Sequence, residues 1–384
     1  MASPSGTFDN GEKYIVVIVL LSISCSLSLV GSSCIIRISF KEILKSNDRQ
    51  HRLLFALSCA DFVNSMSCLL MPYLIPSFMG LPGAVGNHAT CTTSGFFFVV
   101  ASTSACCYNS FLSIYFFLVV CRNWKDRDFS KMLQVLVHYV AIVLPVAIGL
   151  VGAVTKTINP IPVLNFQCLF SAFPWHCEKN DCERSSVEVA KALFQSVNTV
   201  SATFSIVGFV CTFLVWNTVR RTIQRSSSYR FGNDRDTANE ERLKQVSIQA
   251  VLYSLVYLNS MMWPILAVTM RSLPGTVEER NGDIYVYVLQ LLYATLYPLK
   301  GVFNFIVYTR QKVQQWRKAA PRSSILWIYW QIILTTEIPR PQRIPATLPL
   351  TATTGTVETT GFGHSQQSAA AEEVEVSFDE FGEE

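Results

Sequence analysis

The chain reads as an all-α integral membrane protein: a bundle of seven transmembrane helices, then a short cytoplasmic amphipathic helix and a disordered tail. Three observations predict this. Half of the 384 residues are hydrophobic and only 15% are charged, with a positive mean hydropathy, the balance of a polytopic membrane protein. Seven apolar stretches, near 14–37, 52–76, 91–121, 132–155, 188–219, 244–271 and 284–308, each meet the roughly 20 residues that cross a hydrocarbon core as a helix. The loops between them alternate in lysine and arginine content, which orients the chain.

Residues 1–13, with Asp9, Glu12 and Lys13, form an extracellular N-terminus with no evident cleavable leader, because the first apolar stretch spans by itself. The inner loops carry Arg37, Lys41, Lys45, Arg49 and Arg52, then Arg122, Lys125, Arg127 and Lys131, then Arg220, Arg221, Arg225 and four more basic residues. The facing loops are poorer in both. The N-terminus is therefore expected outside and the C-terminus inside, in a multi-pass protein of the plasma membrane.

Span 2 reads LLFALSCADFVNS, with Asp61 in its middle. A carboxyl there costs a few kcal/mol unless it is neutral or partnered, so Asp61 is a functional candidate, against the blander reading of a protonated group satisfied by hydroxyls. Ser65, Asn109 and Asn304 could complete a node around it. Lys300 is the other charge inside a span; it is expected to snorkel to the inner interface rather than pair with Asp61. Span 6 holds Trp263 and Pro264, a bulky ring beside a candidate hinge, or an ordinary kink. Span 7 runs from Ile284 to Tyr308 and contains Pro298, Gly301, Asn304 and Tyr308 at helical spacing. Pro145 in span 4 is read as a kink and His138 as a packing residue.

Eight cysteines in or beside spans are read as small apolar residues. Cys91, Cys168, Cys177 and Cys182 lie in or beside outer loops, an even number in an oxidising compartment. A bridge from Cys91 to Cys168 would tie the long outer loop over the bundle mouth, and Cys177 with Cys182 suits a local bridge. The alternative, a metal site of CEKNDC with His176, is the weaker signal. An outer pocket, if built by spans 3, 5, 6 and 7, would be lined by Ser94, Phe98, Gln195, Asn198, Trp263, Tyr287 and Gln290. After the bundle (14–308), a basic juxtamembrane helix is expected over 309–322. The tail 323–384 is Pro-, Thr- and Glu-rich and read as disorder, except that 324–335 is apolar: an interfacial segment, or an error in the gene model.

Together these residues resemble a G-protein-coupled receptor, and most closely the cyclic-AMP-receptor-like (class E) branch of microbial eukaryotes. LSCADF resembles the helix 2 motif with Asp61 as its acidic residue, NSFLSIYFFLVV the inner half of helix 3, and YPLKGVFNFIVY the helix 7 motif, with Pro298, Gly301, Asn304 and Tyr308 matching. Cys91 and Cys168 match the family's bridge. The resemblance implies an extracellular ligand, not identified by the sequence, and a heterotrimeric G protein met by Arg122, Arg220, Arg221 and Arg225. It also implies a switch network of Asp61, Asn109, Trp263, Pro264, Pro298, Asn304 and Tyr308.

The departures matter as much. The acidic-Arg-Tyr triplet of rhodopsin-like receptors is replaced by Tyr115, Phe116 and Phe117, Gly31-Ser32 stands for Gly-Asn, and Lys300 replaces a glutamine. No cofactor is expected: the retinal lysine of animal opsins would fall at Leu291, and Lys300 is on the wrong side. Nor is an enzyme expected, since there is no phosphate loop, carboxylate pair or ligand cluster; the partners are the bilayer and a G protein, not nucleic acid. A seven-helix transporter or channel is the competing class, disfavoured because only Asp61 is read as deep.

Overall fold

The computed structural model describes residues 7–45, 49–122, 124, 131–161, 167–174, 177, 182–228, 245, 248–259, 262–263, 266 and 282–335. The apolar stretches form helices: α1 (Thr7–Lys45), α2 (Arg49–Leu74), α3 (His88–Cys121), α4 (Lys131–Val154) and α5 (Val187–Ser228), each with a segment long and apolar enough to cross a membrane. Then come α6 (Ile248–Asn259), α7 (Gly282–Leu296), α8 (Lys300–Ala319) and α9 (Ile325–Thr335). The chain is a helical membrane bundle. Of the rest of the sixth predicted span only residues 245, 262, 263 and 266 are described; Pro264 lies outside the described residues, as does everything after residue 335.

Tight joints set the register of the first helices. Asn87 caps α3: its Oδ1 accepts from the N–H groups of Ala89 and Thr90 at 2.9 and 3.0 Å, while Thr90 Oγ1 accepts from the Asn87 N–H at 2.8 Å. The Thr90 hydroxyl then donates to the Leu74 carbonyl at 2.8 Å, closing the end of α2. Gly86 sits between them, where any Cβ would run into that same carbonyl.

At this end of the bundle a short hairpin, β1 (Ile158–Pro160) paired antiparallel with β2 (Cys168–Phe170), folds over the helices. Cys168 is bonded to Cys91 with Cα atoms 5.6 Å apart, and a Cβ at Gly95 of α3 would meet the Cys168 carbonyl and the Ile158 side chain. Ile158, Asn159 and Cys168 are fully buried. Arg184 pins the hairpin further: Nε donates to Asn159 Oδ1 at 2.8 Å and Nη2 to Thr92 Oγ1 at 3.2 Å, and burial lowers its pKa from the ordinary arginine value. Cys177 and Cys182 form the second bridge, Cα atoms 5.1 Å apart, so their thiols are not available as metal ligands.

At the opposite, basic end the sequence expectations need correcting. Pro298 does more than kink span 7: Tyr297, Pro298 and Leu299 form a turn, and α7 stops before it and α8 starts after it, because proline supplies no N–H to carry the ladder through. The basic segment expected as a separate helix over 309–322 is instead the continuous second half of α8, ending at Ala319. The apolar stretch 324–335 forms α9, with Ile328 and Ile332 buried. Ring contacts join it to α8 (Trp316–Trp327, 5.6 Å; Phe305–Tyr329, 5.7 Å), and Lys41 Nζ of α1 donates to its Leu334 carbonyl at 2.9 Å.

Candidate functional site

The inward face of α2 carries Ser58, Asp61, Ser65 and Cys68 at helical spacing, all buried together with Asn64. Lipid offers such groups no hydrogen bonds, so they turn to other helices. Asp61 finds two partners on α8. Asn304 Nδ2 donates to its Oδ2 at 2.8 Å, and Lys300 Nζ lies 3.1 Å from its Oδ1, with the two side chains 6% and 2% exposed. That separation is an ion pair, but its angles fall short of a hydrogen bond: Lys300 Nζ and Asp61 Oδ1 have no hydrogen-bond partner among the described residues. Lys300 does not snorkel. The turn at 297–299 resets the helical phase, so the lysine emerges on the buried face of α8 with Gly301 and Asn304, and its ammonium sits 5.5 Å above the Tyr297 ring.

Small residues let these helices close on each other. A Cβ on Gly31 of α1 would come within 2.7 Å of the Gly301 carbonyl oxygen, and one on Gly301 would strike the hydroxyls of Ser28 and Ser32. Ser28 Oγ accepts from the Gly301 N–H at 3.1 Å and from the Ser65 hydroxyl at 2.9 Å, while the Tyr297 hydroxyl donates to Asn64 Oδ1 at 3.1 Å. The result is a continuous polar seam from α1 through α2 to the α7–α8 turn.

A second seam is neutral. On α6, the Tyr257 hydroxyl lies 2.7 Å from both Cys106 Sγ of α3 and Ser205 Oγ of α5. Further along, Thr212 of α5 is 2.5 Å from Ser254 of α6 and donates to Ser113 of α3 at 3.5 Å, and Gln311 Nε2 of α8 donates to Gln249 Oε1 of α6 at 2.9 Å.

Comparison with solved structures then places the architecture. The crystal structure of squid rhodopsin matches over 86% of this chain and 93% of that one, with a TM-score of 0.56 at 13% identity. The chain has a rhodopsin-like seven-helix fold. No family model and no curated protein matches the sequence.

Within this rhodopsin-like bundle the residues singled out in the sequence separate. Asp61 and Asn304 meet, and Ser65 joins the seam through Ser28. Asn109 is buried on α3, where its carbonyl accepts from Ser113 at 3.1 Å; it is not among the partners of Asp61. Tyr308 lies nearer the basic end, its hydroxyl 3.4 Å from His51 Nδ1. Trp263 Nε1 donates to Asn259 Oδ1 at 3.4 Å. Of the pocket candidates, Ser94 and Phe98 are buried in α3, with Ser94 donating to the Cys91 carbonyl and the Phe98 ring 6.1 Å from that of Tyr297. Tyr287 and Gln290 are half-buried on α7, and Lys13 reaches over the Tyr287 ring at 5.9 Å. Gln195 and Asn198 are exposed: the face of α5 that packs on the core is Leu193, Phe194 and Val197. Arg122, Arg220 and Arg221 are exposed; the Arg225 side chain lies outside the described ones.

Sequence reading overlooked several members. Gln167 of the hairpin donates to the Tyr293 hydroxyl, reaching α7 at the mouth, and Ser28, Asn64, Tyr297, Cys106 and Tyr257 complete the seams. A signal existed for α1, where Ser24, Ser28 and Ser32 recur every four residues and all are buried. Among the described residues no group of three or more His, Cys, Asp or Glu side chains could hold a metal.

Proposed function

We propose that the protein is a G-protein-coupled receptor that carries an extracellular signal to a heterotrimeric G protein by rearranging its helices, with the N-terminus outside and the C-terminus cytoplasmic in the plasma membrane. The observation that carries the reading is the buried Asp61–Lys300–Asn304 cluster joining α2 to α8 inside a rhodopsin-like fold. Charges at such depth mark functional positions, and this one sits beside a helix break, where it ties α8 to α2. Motif resemblance to the cyclic-AMP-receptor-like branch and the lysine and arginine asymmetry of the loops support the finer assignment. Arg122, Arg220, Arg221 and Arg225 are the proposed contacts for the G protein, and the ligand enters from the hairpin side, past Gln167 and Tyr293.

The test is guanine-nucleotide exchange on a panel of G proteins, comparing wild type with Asp61→Asn at matched surface expression. A shift in basal or stimulated exchange of about 5- to 150-fold, the usual range of allosteric coupling, is expected. Superimposable responses remove Asp61 from the mechanism. A second reading gains from the same pair: with Lys300 as well as Asp61 inside the bundle, two deep charges stand where proton or ion carriers use them. Flux in proteoliposomes without nucleotide exchange would favour that carrier.

A further inference from the structure

Outside both seams, three rings tie the loop between α2 and α3 to the hairpin. His88, the first residue of α3, has its ring centroid 5.0 Å from that of Phe78 in the loop and 5.1 Å from that of Phe173 beyond β2. The two phenyl rings are 5.7 Å apart. Each anchor is fixed from behind. The Ser77 N–H donates to the Gly86 carbonyl at 3.0 Å and the Gly86 N–H to that of Ile75 at 2.9 Å, while Phe173 and Arg184 exchange two backbone hydrogen bonds of 3.1 and 3.0 Å. Arg184 is also the side chain that pins the hairpin to Asn159 and Thr92. In the middle of this joint His88 Nδ1 is buried with no hydrogen-bond partner among the described residues.

A neutral ring suits that position and a charged one does not. Protonation puts an N–H on a nitrogen that faces no acceptor, sets a cation at the positive end of α3 and adds like charge beside Arg184. The described charged groups that act on His88 are Arg184 and, in the opposite sense, Glu183; no Asp, Glu, Lys or Arg occurs in residues 75–121. His88 precedes the predicted span of 91–121. Burial first, then Arg184, hold its pKa below the ordinary histidine value against the pull of Glu183.

We infer that His88 is an acid-released latch: its neutral ring holds the 77–86 loop against the hairpin at Phe173, and protonation parts them and loosens the cover at this end of the bundle. Once the rings part, the imidazole titrates near the ordinary 6.5; closed, it takes up a proton only at lower pH. Between those two values the open state binds more protons, so closure is full above about pH 6.5 and weakens as the pH falls below it. The latch needs only the hairpin end to face solvent and is independent of the receptor reading.

Hydrogen exchange of the full chain in detergent tests it, at pH 7.5 and 5.5, with rates corrected for the intrinsic effect of pH. In wild type the amides of Ser77, Gly86, Phe173 and Arg184 are expected to lose protection at pH 5.5, by up to about tenfold for the unit below 6.5. His88→Phe keeps three rings and removes the proton site, so its protection should be the same at both values. Equal protection of wild type at the two pH values overturns the latch, as does higher protection at pH 5.5, the result expected if the phenyl faces held the cation. A loss that persists in His88→Phe assigns the acid effect to another group and overturns the role of His88. A second measurement needs no substitution: diethylpyrocarbonate acylates the neutral imidazole, and its rate at His88, followed by mass spectrometry of that peptide, should rise with a midpoint below pH 6.5. A midpoint at or above that value overturns the closed, neutral ring.

Discussion

The two sides of the bundle are held by different chemistry. Where α1, α2 and α8 meet, the contacts are charged and close: Asp61 with Lys300, Glu42 with Lys312 at 2.5 Å, and Gly31 packed against Gly301. Where α3, α5 and α6 meet, the described bonds are neutral, among Cys106, Tyr257, Ser205, Thr212, Ser254 and Ser113. Stripping one partner from a buried ion pair costs about 3–5 kcal/mol, whereas a neutral hydrogen bond contributes about 1 kcal/mol net. The first side is therefore expensive to part and the second cheap. Under the proposed receptor reading, a signalling change of about 1–3 kcal/mol is within reach of one or two hydroxyl bonds, which makes α6 the element expected to move and the α1–α2–α8 side the frame.

The largest expected effect falls on the charged side. Lys300→Met leaves Asp61 buried without its counter-charge and should cost about 3–5 kcal/mol, read as a fall in the melting midpoint of the purified protein. Adding Asp61→Asn should recover most of that loss, because the desolvated charge goes with its partner. If the double variant is as unstable as Lys300→Met alone, the two residues are not an energetic unit and the frame is held by something else.

Next comes the hairpin tether. Cys91→Ser with Cys168→Ser should cost about 2–4 kcal/mol in denaturant titration, with Arg184 still holding the hairpin through Asn159 and Thr92. A loss under about 1 kcal/mol would mean that these bonds and the burial of Ile158 suffice. The third effect probes close packing: Gly301→Val puts carbon where the Ser28 and Ser32 hydroxyls stand and should destabilise by about 1–3 kcal/mol. An unchanged midpoint would show that α8 can back away, and that the frame is softer than the comparison holds.

How much of this was legible in the sequence depends on which residues one asks about. The spans were legible because apolar length is a local property, as was the isolation of Asp61, a carboxyl in thirteen otherwise uncharged residues. The four outer cysteines could be paired because few partners were available. Lys300 was misread because its depth depends on the turn at Tyr297–Leu299: continuing the α7 phase across Pro298 carries the lysine toward the inner interface, and only the break turns it to Asp61. Gln195 and Asn198 were misassigned because polarity was taken as the inward signal on α5, while the packed face is Leu193, Phe194 and Val197. The neutral seam was hidden for another reason. Serines and threonines are common in the spans, and most of them satisfy themselves on the carbonyl one turn back, as Ser196, Thr203 and Thr295 do. Nothing local tells Ser254 or Thr212 apart from these until the helices are side by side.

The smallest effect on stability should have the clearest effect on activity. Tyr257→Phe deletes the one hydroxyl that lies 2.7 Å from both Cys106 and Ser205. Neither partner is stranded, since Cys106 Sγ also donates to the Ser201 carbonyl at 3.4 Å and Ser205 to the same carbonyl at 2.5 Å. The cost should therefore be only about 1 kcal/mol and the fold should persist. If α6 is the moving element, that 1 kcal/mol comes off the resting state, and basal nucleotide exchange should rise about fivefold. Ser65→Ala is the matched control on the frame: it deletes the 2.9 Å bond to Ser28, should cost a similar 1 kcal/mol, and should leave basal exchange where it was. Equal rises in the two variants would erase the distinction between the two sides, and no rise in Tyr257→Phe would take the neutral seam out of the switch.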